Sequence, residues 1–277
     1  MTAVDGRAIG LLGIPFDANS SHRRGPRKAP RAIRAAMRSE AGNAWSERGI
    51  EVWPSARVID HGDLRVSPKA ASRKPIEQIE RGVAKALAVT PRLVVLGGDH
   101  AVTYPVLRAI AAVHGPLGVL HFDAHPDLYP ELDGNRYSHA CPFARSLEDG
   151  LIDRLVQVGI RSYAPVQAKM TRRHGVETWR AWEVGQMKPL RFRSPLYVSI
   201  DLDALDPAFA PGVSHREPGG LTVRQVLDVL AAVRAPQFVG GDVVELNPDC
   251  DMDGLSATVA ARLARELLAT MLVSRVA

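Results

Sequence analysis

The sequence predicts an α/β fold: one domain over residues 1–277, with three layers (α/β/α) and a mostly parallel sheet of about eight strands. Short apolar segments alternate along the chain with segments of helical periodicity, which is typical of a parallel sheet covered by helices. Three of the apolar segments run directly into clusters of Asp and His. A chain of 277 residues with 46% hydrophobic content can also bury one substantial core.

Each predicted strand is a short apolar run bounded by turn residues or by a polar cluster. The first stops at Pro15, and the last ends at Glu245. In chain order the strands are 8–14, 57–60, 93–96, 117–120, 155–160, 196–200 and 238–244, with a weaker candidate at 175–178. His61, just after the second strand, is interpreted as structural.

The helices are predicted from apolar spacing and from residues that favour helix starts. Ile76, Ile79 and Val83 recur at helical spacing, Pro30 suits an early helical position, and Thr222 is a good N-cap. In chain order the helices are 31–40, 75–89, 103–114, 141–147, 221–233 and 256–273. The remaining segments, including the Pro- and Gly-rich 206–220, are predicted loops, and long loops inside compact domains are usually functional.

The stretch 118–129, GVLHFDAHPDLY, carries the strongest chemical signal. Side chains in an extended segment alternate between faces, so Asp123, His125 and Asp127 can converge on one point. The preceding apolar residues predict a buried parallel strand, which places these three side chains at its carboxyl end, where open α/β sheets bind ligands. His121 shares this face but lies deeper, so we expect a packed core histidine rather than a metal ligand.

Two other strands end in the same way, one before His100 and one before Asp201 and Asp203. The three strands together offer four carboxylates and two imidazoles but no thiolate, a set that favours Mn²⁺ over Zn²⁺. Four carboxylates are too many for one ion. The sequence therefore predicts two divalent cations, in the kind of paired site, about 3.5–4 Å apart, that activates a water.

Composition narrows the class of protein. The formal net charge is +5 and the pI is near 9.5, but the 35 basic residues are spread along the chain among 30 acidic ones. No nucleic-acid-binding motif accompanies them, so the basic segment 22–34 is interpreted as solvated. No run of 18 apolar residues and no signal peptide are found, so no membrane association and a cytoplasmic location are expected. Cys141 and Cys250 do not form a disulfide framework.

Four motifs together resemble the ureohydrolase family of arginases and agmatinases: GGDH (97–100), DAHPD (123–127), SIDLDALDPAFAPG (199–212) and VVELNP (243–248). The resemblance runs from about residue 10 to the C-terminus. It is closest to the plant-type arginase branch, through NSSHRRGPRKAP, DGNRYSHACPFAR, QVGIRS and APGVSHREPGGLT. An arginase-like fold and the release of urea from a guanidino compound are what this resemblance implies.

The resemblance also implies roles for individual residues. One Mn²⁺ would be bound by His100, Asp123, Asp127 and Asp201, and the other by His125, Asp123, Asp201 and Asp203, with Asp123 and Asp201 bridging. Glu245 would hold the guanidinium by two parallel hydrogen bonds, and His139 would protonate the leaving amine. Ser214 and His215 would line the substrate pocket, and the loop 19–21 would lie near its mouth. The family commonly forms trimers or hexamers, so a homo-oligomer is expected.

The substrate is less well defined by the sequence. In animal-type arginases the loop corresponding to 161–165 offers an acidic residue to the α-ammonium group, and this chain has none there, which favours agmatine. Arg161 or Arg216 could meet a carboxylate, and the plant-type resemblance favours L-arginine. Agmatine is the first expectation, L-arginine the second, and a guanidino acid the third.

Two other classes of protein remain open. A mononuclear zinc deacetylase on a related fold would also place Asp and His at strand ends, but it would leave the pair Asp201 and Asp203, and Glu245, without a purpose. A non-catalytic, metal-stabilised binding protein would hold metal without turning over any guanidino compound. The number of metal ions per chain and the release of urea separate these alternatives.

Overall fold

The computed structural model describes residues 8–55 and 57–274, and within them eight strands form one sheet. The order of strands across the sheet is β2-β1-β3-β8-β7-β4-β5-β6, and every pair of neighbours is parallel. The predicted α/β fold and the predicted sheet of about eight strands are confirmed.

The strands are β1 (Ile9–Gly13), β2 (Val58–Asp63), β3 (Leu93–Leu96), β4 (Leu117–Phe122), β5 (Ile152–Ile160), β6 (Glu177–Arg180), β7 (Leu196–Asp201) and β8 (Phe238–Val244). The α-helices are α1 (Ala29–Met37), α2 (Arg73–Leu87), α3 (Thr103–His114), α4 (Pro142–Glu148), α5 (Pro165–His174), α6 (Val223–Ala232) and α7 (Leu255–Val273). No helix in the described part of the chain combines the length and the apolar character needed to cross a bilayer.

The sheet separates two hydrophobic clusters because successive strand residues point to opposite faces. In β1, Leu11 belongs to one cluster and the adjacent Leu12 to the other. Helices α1, α6 and α7 supply residues to the first cluster, and α2, α3, α4 and α5 supply residues to the second. The three layers follow directly from strands that are apolar on both faces.

Two differences from the predicted elements have a physical reason. Helix α5 was not predicted, because its buried face has only one large apolar residue, Met170, beside the polar Gln167 and Thr171. Strand β2 continues through polar residues to Asp63, three beyond the predicted end, because it lies at the edge of the sheet and is only partly buried. The predicted N-cap Thr222 is present, and its side chain accepts a hydrogen bond from the backbone N–H of Gln225.

Part of the basic segment 22–34 packs against the edge strand β2. Arg34 is only 9% exposed, and its guanidinium donates to both carboxylate oxygens of Asp60, at 3.0 and 2.9 Å. It also donates to the Asp63 carboxylate and to the carbonyl of Gly62. Burial raises the pKa of Asp60, but the hydrogen bonds and charge of Arg34 outweigh it, so the net pKa lies below the usual value.

We expect Asp60→Asn to lower the free energy of unfolding by about 1.5–3 kcal/mol at pH 7, the range for a hydrogen bond to a charged group. Because the folded pKa lies below the unfolded value of about 3.9, the stabilisation is present above that pH and is lost as the pH falls through the folded pKa. Denaturant unfolding of both proteins at pH 7 and at lower pH tests both parts. Glu77→Gln, in an exposed pair with Arg73 at 3.8 Å, is the matched control and should change stability by under about 0.5 kcal/mol. Equal losses in the two variants would contradict the prediction.

Candidate active site

The predicted site residues converge at one edge of the sheet, where four neighbouring strands end. Strands β3, β8, β7 and β4 lie side by side in that order and are parallel, so their carboxyl ends lie together. The residues gathered there are His100 after β3, Glu245 after β8, Asp201 and Asp203 at the end of β7, and Asp123, His125 and Asp127 after β4.

The inner cluster consists of His100, Asp123, Asp127 and Asp201, all buried. Nδ1 of His100 lies 3.2 Å from Asp123 Oδ2, 3.0 Å from Asp127 Oδ2 and 3.1 Å from Asp201 Oδ2. Nevertheless this buried nitrogen has no hydrogen-bond partner. One ring nitrogen surrounded by three carboxylate oxygens at this spacing, with no hydrogen bond among them, is an arrangement that a cation would complete.

The outer cluster consists of His125, Asp123 and Asp203. Nδ1 of His125 lies 3.1 Å from Asp203 Oδ2 and 3.5 Å from Asp123 Oδ1. Asp123 thus faces the inner cluster with Oδ2 and the outer cluster with Oδ1, which is the geometry of a bridging ligand. Asp201 faces the inner cluster with Oδ2, and its Oδ1 accepts a hydrogen bond from the Asp203 backbone at 2.8 Å.

The electrostatics of the two clusters suit divalent cations. Burial, followed by the carboxylates of Asp203 and Asp123, raises the pKa of Asp201 well above its usual value. Burial lowers the pKa of His100, but the carboxylates opposite it outweigh this effect and the net pKa is well raised. Burial and the neighbouring carboxylates therefore disfavour the ionised form of Asp201 when no cation is bound. A cation in each cluster would favour the deprotonated form that metal ligands need, and the oxygen-rich donor set fits Mn²⁺.

A hydrogen-bonded contact on the side facing away from the inner cluster orients the ring of His100. Nε2 of His100 lies 3.0 Å from the hydroxyl of Ser199, which in turn donates to Asp242 at 2.7 Å. An Nε2–H that donates to Ser199 leaves the Nδ1 lone pair directed at the inner cluster. Asp127 has a φ of 52°, in the left-handed region that non-glycine residues rarely occupy.

His121 lies close to the inner cluster, but both of its ring nitrogens have partners, Asp123 and Gln157. Its Nε2 lies 2.8 Å from Asp123 Oδ2, and its Nδ1 lies 3.0 Å from the amide nitrogen of Gln157. His100, His121 and Asp123 are near enough together to form a possible metal-binding group. Because the Gln157 amide nitrogen can only donate, Nδ1 accepts and Nε2 carries the proton that goes to Asp123. This tautomer leaves His121 no lone pair for a metal.

His139 and Glu245 are in direct contact. Nδ1 of His139 lies 3.0 Å from Oε1 of Glu245, and that oxygen also accepts from the backbone N–H of His100 at 2.8 Å. The second Glu245 oxygen has no hydrogen-bond partner among the described residues, and Glu245 lines a cavity. Burial lowers the pKa of His139, but Glu245 outweighs it and raises the pKa to about 9. The φ of Glu245 is 63°, again in the left-handed region.

Ser21 is a site residue that the sequence analysis placed only near the mouth of the site. Its hydroxyl lies 2.8 Å from Nε2 of His139, so the imidazole is held from both sides. Asp99 orders this loop, since its Oδ2 accepts from the backbone N–H of Asn19 at 2.9 Å and from the hydroxyl of Ser20. Burial, followed by the charge of Glu245, raises the pKa of Asp99 to about 8.

Gly98, in the GGDH motif, allows this loop to approach. The backbone N–H of Asp99 donates to the carbonyl of Phe16 at 2.8 Å. A Cβ at position 98 would lie 1.8 Å from that same carbonyl oxygen. Any side chain there would push away the segment that leads to Ser21.

The cavity above the two clusters has a volume of about 160 Å³. It is lined by the site residues His125, Asp127, His139, Asp201, Asp203 and Glu245, and also by Ser21, Tyr129, Leu132, Ala140, Gln167, Val213 and His215. The ring of His215 lies beside that of His139, with centroids 5.1 Å apart and the planes tilted by 30°. Burial, followed by His139, lowers the pKa of His215 to about 4. Ser214 is not among the lining residues, because its hydroxyl contacts Asn247 at 2.9 Å and the carbonyl of Arg23 at 3.3 Å.

The two arginines considered as partners for a substrate carboxylate are engaged elsewhere. The guanidinium of Arg161 donates to backbone carbonyls, including those of Asp203 and Glu217 at 2.7 and 2.6 Å. Arg216 donates to the carbonyls of Pro211 and Cys250. No Lys or Arg in the described part of the chain lines the cavity.

Comparison with known proteins gives one consistent result. Residues 7–270 match the model of the Arginase family. The chain is 43% identical over 273 residues to "Arginase 1, mitochondrial" of Arabidopsis thaliana, covering 94% of this chain and 80% of that relative. It is 35% identical over 288 residues to "Agmatinase, mitochondrial" of Gallus gallus, with 98% and 83% covered. The solved structure of arginase from Medicago truncatula has a TM-score of 0.90 at 41% identity, with 95% of this chain and 87% of that chain covered.

Proposed function

Because the chain belongs to the arginase family, a family of ureohydrolases, we propose that it hydrolyses L-arginine to urea and L-ornithine. The observation that carries the proposal is the joint position of the two metal-type clusters, which share Asp123, and of Glu245 and His139 around one cavity. The proposed reaction adds water to the guanidinium carbon and breaks the bond from that carbon to the substituted nitrogen, which leaves as an amine.

The six predicted ligands would hold two Mn²⁺ ions per chain. One ion would be bound by His100, Asp123, Asp127 and Asp201, and the other would be bound by His125, Asp123, Asp201 and Asp203. When bound, such paired ions lower the pKa of a water and so supply a nucleophile near neutral pH. The contacts of Asp123 with both clusters support its bridging role; for Asp201 the support is the contact of Oδ2 with the inner cluster.

Glu245 and His139 have complementary roles in this proposal. The unpaired carboxylate oxygen of Glu245 accepts from the guanidinium, which fixes the carbon in the cavity. The imidazole of His139, with the pKa raised to about 9, holds a proton near neutral pH and passes it to the departing amine. Ser21 and Glu245 keep the ring in position before the substrate binds. His215 is proposed as a wall of the pocket, whereas Ser214 would act only through Asn247.

Within the arginase family the candidate substrates are ranked with L-arginine before agmatine. Similarity to plant arginases over 94% of the chain makes L-arginine at least as well supported as agmatine, which the sequence analysis ranked first. Agmatine stays the second candidate, because the loop 161–165 has no acidic residue for an α-ammonium group. A guanidino acid is the third.

We expect kcat/KM for L-arginine to exceed that for agmatine by at least about tenfold at equal Mn²⁺ and pH. L-Arginine has a carboxylate that agmatine lacks, and one hydrogen bond from the protein to that carboxylate contributes about this much. Urea release from both compounds, and from a short guanidino acid as a third substrate, measures it. A ratio below one would reassign the enzyme to agmatine, and urea from the guanidino acid alone would move it to another branch of the family.

Metal counting separates the proposal from the alternatives of another class. A mononuclear zinc deacetylase predicts one ion per chain, and a non-catalytic binding protein predicts ions without urea release.

We also propose that the chain acts as one domain, and that it forms the trimer or hexamer implied by the resemblance. The cytoplasmic location stays a prediction.

A further inference from the structure

Gln167 is a buried polar residue in the wall of the cavity and has no role in the proposed hydrolysis. It is the third residue of α5, the helix that the sequence analysis missed, and it is only 3% exposed. Glutamine is mostly exposed in folded proteins, and buried polar groups are usually hydrogen-bonded. A buried glutamine that lines a ligand cavity therefore needs an explanation for each half of its amide.

The oxygen half has a partner, and this fixes the orientation of the amide. The backbone N–H of Ala164 donates to Oε1 of Gln167 at 3.3 Å, closing the first turn of α5. A backbone N–H can only donate, so the oxygen must face it and the nitrogen must point away. Nε2 of Gln167, with its two N–H donors, has no acceptor among the described residues.

The surroundings of this free amide favour an acceptor that carries negative charge. Helix α5 has ten residues, and its N-terminus carries partial positive charge beside Gln167. The carboxylates that line the cavity belong to the inner and outer clusters and to Glu245. No Lys or Arg among the described residues lines the cavity. The other donors among the described lining residues are hydroxyls and imidazoles, and the free amide of Gln167 is the donor that lies at a helix start.

We propose that Gln167 binds the carboxylate at the amino-acid end of the substrate and selects a carboxylate-bearing guanidino compound over its decarboxylated amine. The inference rests on the proposed function and extends it to the far end of the substrate. A carboxylate has only acceptors and matches the two free N–H groups. An ammonium has only donors, so it would leave the amide unpaired and would lie against the positive end of the helix.

The sharpest test is Gln167→Glu, which keeps an oxygen for the Ala164 N–H and replaces the free amino group by a charged oxygen. We expect kcat/KM for L-arginine to fall by about 10- to 100-fold, the range for a hydrogen bond to a charged group. The value for agmatine should stay within about threefold or rise. Gln225→Glu is the matched control, because Gln225 holds the same N3 position of α6 and accepts from the Thr222 backbone N–H at 2.9 Å. It should change neither value.

A binding measurement makes the result independent of turnover. L-Ornithine and putrescine differ only by the carboxylate, and their Kd values with the Mn²⁺-loaded wild-type protein and the two variants can be measured by calorimetry. We expect Gln167→Glu to weaken L-ornithine by at least tenfold and putrescine by less than threefold. Equal losses for both ligands, no change for L-ornithine, or no L-ornithine binding to the wild type would overturn the assignment of Gln167. Failure of the proposed function appears separately, as a wild-type protein that releases urea from no guanidino compound.

Discussion

Asp123→Asn is expected to remove both metal ions together and to lower urea release by at least about 10³-fold, since metal activation supplies several kcal/mol of transition-state stabilisation. Asp123 is the residue whose two oxygens face different clusters, Oδ2 toward His100 and Oδ1 toward His125. A neutral amide removes the negative charge that the two sites share and keeps only one of the two oxygens, so residue 123 can no longer offer an oxygen to both clusters. Metal content by mass spectrometry, measured beside kcat, reads out the two effects separately.

Asp127→Asn is the matched control for this prediction. Asp127 contacts only the inner cluster, with Oδ2 at 3.0 Å from His100 Nδ1, so its variant should lose the inner ion and keep most of the outer one. Chelation of the wild-type protein should abolish activity, and added Mn²⁺ should restore it. Full activity in a chelated sample, or two ions retained in Asp123→Asn, would rule out the shared-ligand model.

The convergence of the six predicted metal ligands could be predicted from sequence because it depends only on strand direction. Asp123, His125 and Asp127 follow one buried strand, and His100 and Asp201 follow two others; parallel strands must bring these ends to one edge. The structure places all of them within two clusters that share Asp123. Periodicity and polarity at strand ends are local signals, and they suffice for this part of the site.

The walls of the cavity could not be predicted because they depend on tertiary contacts. Ser21 reaches His139 across 118 residues of sequence, and its position depends on Asp99 and on the close approach that Gly98 allows. Gln167 lies on a helix whose buried face has too few apolar residues to reveal its period. The sequence gives no sign of either contact, since Ser and Gln are ordinary loop and helix-surface residues.

His139→Ala is expected to lower kcat by about 10²- to 10⁴-fold, the usual contribution of a positioned proton donor. The departing amine needs a proton, and the imidazole is held near the cavity by Glu245 at 3.0 Å and by Ser21 at 2.8 Å. The ring contacts neither His100 nor His125 through a hydrogen bond, so the Mn²⁺ content of the variant should equal that of the wild type. Steady-state urea release and metal analysis on the same sample test both parts.

Ser21→Ala should have a smaller effect on kcat than His139→Ala, because it keeps the imidazole and removes only one of the two groups that hold it. Because His139 holds a proton near neutral pH, the lost contact is a hydrogen bond to a charged group, about 1.5–3 kcal/mol, so kcat should fall by about 10- to 100-fold. A kcat of His139→Ala within threefold of the wild type would make His139 an ordinary loop residue. A larger loss in Ser21→Ala than in His139→Ala would instead assign the proton transfer to the loop that carries Ser21, since the histidine would then be the lesser contributor.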